Sequence, residues 1–123
     1  MSDYFVMFWM IFMHVIGDYN LQGWLASAKQ KEWWEKNSPQ KLYRNDYIWA
    51  LIMHAFSWTF MIMLPIAVDY YFYIDNTFIV IFCVNWVIHA IVDDLKANAK
   101  VINLWVDQII HLAQIIITAS ILL

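Results

Sequence analysis

Cysteine, glycine and proline are scarce in this chain of 123 residues, which holds one Cys, two Gly and two Pro. The lone Cys83 excludes an internal disulfide and any cysteine-rich zinc site. So little Gly and Pro excludes a collagen-like fibre and a loop-rich scaffold. Charge is sparse too: 14% of residues carry it, against roughly a quarter in ordinary soluble domains. The net charge of −3 includes no dominant basic face, which argues against nucleic-acid binding. Apolar residues fill the space left, at 63%, with eight Trp, seven Tyr and eight Phe. That composition excludes disorder. A water-soluble domain of this size has too little interior for so much apolar surface, so the lipid bilayer is the solvent that suits it.

A spanning helix needs about 20 mostly apolar residues, and four fit in this length. The expected fold is an all-α, integral membrane four-helix bundle running up-down-up-down. It forms a single transmembrane domain over 1–123, with spans near 4–28, 47–68, 76–95 and 101–122. Tyr47–Val68 and Asn76–Val92 are free of charge, whereas Asp18 interrupts the first span and Asp107 the fourth. All seven basic residues fall between spans: Lys29, Lys31, Lys36, Lys41 and Arg44 in one loop, Lys96 and Lys100 in another. The positive-inside rule places both loops in the cytoplasm and both termini on the non-cytoplasmic side of an inner (cytoplasmic) membrane. The start lacks a basic n-region and reads as a span rather than a cleaved signal. Within the cytoplasmic loop 29–46, the stretch KQKEWWEKN reads as a short helix or turn at headgroup level. Tyr70, Tyr71 and Tyr73 mark the opposite interface.

Each expected span carries one histidine: His14, His54, His89 and His111. Three have an aspartate four residues away, in the pairs His14–Asp18, His89–Asp93 and Asp107–His111. Positions four apart share a helix face. Measured inward from the nearest loop charge, these residues all fall in the cytoplasmic half of their spans, although the spans run in alternating directions. Most lie roughly 10–16 Å deep at the helical rise per residue. Four imidazoles and three carboxylates meeting in a bundle core form a ligand set for one or two divalent ions: zinc first, manganese or iron as alternatives. Asp18, Asp93 and Asp107 are also the candidate catalytic carboxylates, any of which becomes a general base if it stays off the metal. Gln22, Asn85, Lys96 and Gln108 are supporting positions. The amides, with Asn103 and Gln114, read first as interhelical hydrogen-bonding groups, and Lys96 as an interface anchor. Two metal-free readings stand beside this one: a structural polar network, and a proton or ion relay. Met7, Met10 and Met13 read as packing, and Cys83 as inert.

The chain resembles a family of small bacterial and phage membrane proteins, domain-of-unknown-function family 3307. The resemblance rests on His14-Val15-Ile16-Gly17-Asp18-Tyr19-Asn20-Leu21-Gln22 followed by Ala28-Lys29. It continues through His54, through Asn85, His89, Asp93 and Lys96 at fixed spacing, and through Asp107-Gln108 and His111. It covers essentially the whole chain and implies a four-helix membrane fold with these polar positions as its signature. The layout is also loosely similar to small membrane proteins labelled metal-dependent hydrolases.

Three functions suit these residues. The first is a metal-dependent hydrolase acting on an amphiphilic or lipid-linked substrate from the inner leaflet. No Ser-His-Asp arrangement is present, so metal-activated water is the hydrolytic chemistry available. The second is a metal or proton translocator. The third is a small membrane protein that modulates a host partner and holds a structural metal. Partners beyond the bilayer would be the lipid-like substrate, a second copy or another membrane protein.

Overall fold

The computed structural model describes residues 1–123. It is all-helical, with six α-helices: α1 Asp3–Val15, α2 Leu25–Ala28, α3 Lys31–Asn37, α4 Asp46–Asp69, α5 Asn76–Ala97 and α6 Leu104–Leu122. Local chemistry sets several boundaries. Asp75 accepts from the Phe78 N–H and starts α5, and Asn103 accepts from the Val106 N–H and starts α6. At the end of α4, Tyr71 and Phe72 adopt positive φ of 51° and 62°, and the Phe72 N–H closes back on the Ala67 carbonyl at 2.7 Å. That left-handed cap lets the chain reverse into α5.

The expected spans 47–68 and 76–95 match α4 and α5 closely, and the fourth begins three residues late because Asn103 is its cap. The segment through Lys41–Asp69 and the helices Asn76–Ala97 and Leu104–Leu122 are long and apolar enough to cross a membrane. The first expected span, 4–28, needs correction. It is not one helix: α1 stops at Val15, a π-turn occupies Ile16–Asn20, and the chain breaks before α2. The Leu21 N–H reaches the Ile16 carbonyl five residues back, at 2.8 Å. Gly23, at φ 55°, then turns the backbone left-handed. This widened turn carries Asp18, and π-turns recur at functional sites.

The long helices pack in a closed order, with α1 on α4, α4 on α5, α5 on α6 and α6 on α1. Two different cores fill the middle. Toward one end, Val6, Met10, Trp58, Ile62, Ile66, Phe78, Ile115 and Leu122 form an apolar cluster. There the Tyr70 hydroxyl donates to the Leu122 carbonyl. Toward the other end the interior is polar, and twelve of the 30 buried residues are polar or charged. The basic segments meet at this polar end. Asn98 accepts from the Lys31 N–H at 2.7 Å and donates to the Lys29 carbonyl at 3.0 Å, and Lys100 pairs with Glu32 at 2.8 Å. That exposed pair holds the Glu32 carboxyl below its usual range and the Lys100 ammonium above its own. The outer surface is apolar: Phe8, Val87, Ile109 and Ile116 are all exposed.

Candidate metal centre

Every helix of the closed order contributes to the polar core. Asp18 comes from the π-turn after α1, His54 from α4, His89 and Asp93 from α5, and Asp107 and His111 from α6. All six are buried. They form two overlapping groups in which potential ligand atoms lie within 4.8 Å of one another: Asp18, His54, His89 and Asp93, and then Asp18, Asp107 and His111. The His54 Nε2 sits 3.3 Å from the His89 Nε2, 3.3 Å from the Asp18 Oδ1 and 3.2 Å from the Asp93 Oδ2. Ligands about 2.0–2.1 Å from a tetrahedral ion stand about 3.3–3.4 Å apart, so these spacings are those of ligand edges. His89 is looser, at 4.0 Å from Asp18 and 3.8 Å from Asp93.

The three carboxylates share one pattern. Each has its Oδ2 held by donors: Asp18 by Gln108 at 2.8 Å, Asp93 by Lys29 at 2.7 Å, and Asp107 by Lys96 at 2.7 Å and Gln108 at 2.9 Å. Each has its Oδ1 buried with no hydrogen-bond donor in bonding geometry. These free oxygens face the imidazoles. The Asp107 Oδ1 is 3.3 Å and the Asp93 Oδ1 3.5 Å from the His111 Nε2.

A second tier of residues orients the rings. The Thr118 hydroxyl accepts from the Asn85 amide at 2.7 Å, and Asn85 accepts from the Gln114 Nε2 through its side chain at 3.1 Å and its carbonyl at 3.2 Å. Those bonds turn the Gln114 Oε1 toward the His111 Nδ1, at 3.0 Å. Gln114 thereby accepts an Nδ1 proton from His111, and the His111 Nε2 faces carboxylate oxygens. A proton on that nitrogen, or a metal cation in its place, completes the contact between imidazole and carboxylate.

His14 departs from the expected ligand set. The Trp58 indole N–H, which can only donate, gives its proton to the His14 Nδ1 at 2.8 Å. The Nε2 then carries the ring proton and donates to the Gln108 Oε1 at 3.1 Å. Both nitrogens are used, and His14 supports Gln108, which in turn holds Asp18 and Asp107. Gln22 donates to the Asp18 carbonyl at 3.0 Å and so braces the π-turn. Lys96 is more than an interface anchor, since its ammonium reaches the buried Asp107. Cys83 is exposed on the outer surface, away from the cluster.

Two contributors escape a reading of the sequence. Lys29 looks like a loop charge but is buried against Asp93. Trp58 looks like one lipid-facing aromatic among many. It is fully buried, with its ring stacked on His89 at 4.0 Å between centroids. The spacing of Trp58 from His54, four residues on one helix face, is the signal that finds it.

A family model described as "Protein of unknown function (DUF3307)" matches residues 6–123. The chain belongs to this family. No curated protein and no solved structure matches it.

Proposed function

We propose that this member of the family is a four-helix membrane protein that holds a divalent metal ion in its cytoplasmic half and uses it to hydrolyse an amphiphilic, lipid-linked substrate. The apolar exterior and polar interior support the membrane setting, because lipid-facing surface needs apolar groups while polar groups must be satisfied inside. The observation that carries the metal is the shared pattern of the three aspartates, with every Oδ2 clamped and every Oδ1 free and facing an imidazole. Fixed charge agrees. Three carboxylates against Lys29 and Lys96 leave one negative charge for a metal ion or a protonated imidazole to balance.

The same count favours one resident ion, in the group Asp18, His54, His89 and Asp93, since a second brings a large positive excess into a low-dielectric core. Zinc suits this donor set best, with manganese and iron as alternatives. When bound, such an ion brings the pKa of its water toward about 7. Asp107 and His111 would serve as the base and proton carrier, with the His111 ring oriented by Gln114. A translocation path has less support. Beyond Thr118 the core is closed by Ile115, Ala119, Leu122, Ile62 and Ile66.

Anomalous diffraction at the metal's absorption edge tests this reading. One ion held by three of these four residues, with a water or substrate analogue in the remaining coordination position, is the expected result. An ion closed off by four protein ligands makes the site structural and removes the hydrolase.

A further inference from the structure

Two cavities flank Trp34 at the basic end of the molecule. One, of about 400 Å³, is polar and is walled by Lys31, Glu35, Ser38, Lys41 and Arg44 on one side and Trp34 on the other. Its neighbour, of about 330 Å³, is apolar and is walled by Trp24, Leu25, Trp34, Trp49, Ala50 and Met53, with Asp46 as its one charged residue. Both lie in the size range of small-molecule sites, roughly 300–1,000 Å³. The shared wall is fixed in place. The Trp34 indole N–H donates to the Ala28 carbonyl at 2.7 Å, and its ring stacks on Tyr43 and meets Trp24 and Trp33 edge-on. Within the polar cavity Lys31 approaches Glu35 at 3.9 Å, whereas Lys41 and Arg44 form no ion pair.

Unpaired cations in one cavity call for an anion, and the apolar cavity beside them calls for hydrocarbon. We propose that the two cavities together bind one anionic membrane phospholipid, its phosphate at Lys41 and Arg44 and an acyl chain along Trp49, Ala50 and Met53. A free phosphate fills only the polar half, and a zwitterionic lipid presents its own cation to two cations already there. Basic pockets beside cytoplasmic ends of membrane helices are suited to such headgroups. The site shares no residue with the His/Asp cluster and does not depend on a metal.

Native mass spectrometry of the detergent-solubilised full chain tests this, using phosphatidylglycerol and phosphatidylcholine of identical chains. Phosphatidylglycerol should bind at several-fold lower concentration. The double variant Lys41→Gln/Arg44→Gln should lose roughly thirtyfold in phosphatidylglycerol affinity and the preference with it. Both positions are exposed, so the fold is spared. Trp49→Ala should weaken both lipids alike, and inorganic phosphate should fail to displace phosphatidylglycerol. Equal binding of the two lipids, or an unchanged preference in the double variant, overturns the proposal. Displacement of the lipid by phosphate alone overturns it too, by assigning the polar cavity to a free anion.

Discussion

Asp93 is the residue on which most of the polar core converges. Its Oδ2 takes the Lys29 ammonium at 2.7 Å and lies 3.2 Å from His54, while its Oδ1 faces His89 and His111. Removing one partner of a buried ion pair leaves an uncompensated charge and costs about 3–5 kcal/mol. Lys29→Met should therefore destabilise the protein by that amount in denaturant titrations in detergent. Lys29→Met combined with Asp93→Asn should recover part of the loss. If the single variant is as stable as the parent, Lys29 is only a loop charge. Trp58 permits a finer dissection. Trp58→Phe keeps a ring over His89 but loses the hydrogen bond to the His14 Nδ1, a loss of about 1 kcal/mol. Trp58→Ala also opens a cavity, and the cost should rise to about 3–5 kcal/mol.

Among the elements, α4 and α5 were legible from their charge-free runs, and α6 from an apolar run that Asp107 alone interrupts. The pairing of His89 with Asp93 and of His111 with Asp107 was legible from four-residue spacing. The break after α1 was not. The spacing of His14, Asp18 and Gln22 fits an uninterrupted helix, and only the tertiary need to turn Asp18 toward His54 explains the π-turn. The role of His14 was hidden for a related reason. Periodicity reports which face a ring occupies but not which neighbour takes its nitrogens, and here Trp58 and Gln108 take both. Lys29 was hidden because a lysine after an apolar run reads as a membrane boundary. The hinge at Gly23 can be tested directly. A Cβ there meets nothing within 4 Å, so Gly23→Ala is penalised by its φ of 55° alone. A loss of about 1–2 kcal/mol in thermal or chemical unfolding is expected. No loss would mean that α2 is not held by this turn.

For the whole molecule, the proposed lipid setting would change what holds the helices together. Apolar side chains gain little by leaving hydrocarbon for a hydrocarbon-like core, so packing and interhelical polar contacts carry association. In that setting the polar core would hold the helices together as well as form the proposed site. The basic segments, tied together through Asn98 and the Lys100–Glu32 pair, should face the cytoplasm. In a Cys83→Ser background, a cysteine introduced by Asn37→Cys should resist a membrane-impermeant thiol reagent added outside, while one introduced by Tyr73→Cys should react. The reverse pattern would invert the orientation. The central claim is that the buried carboxylates and imidazoles close around a metal ion. Elemental analysis of the protein purified without chelators measures it most directly. One divalent ion per chain, lost in His54→Ala with helical content retained, is the predicted result. A folded parent protein without stoichiometric metal, or a His54→Ala variant that keeps it, would contradict the account.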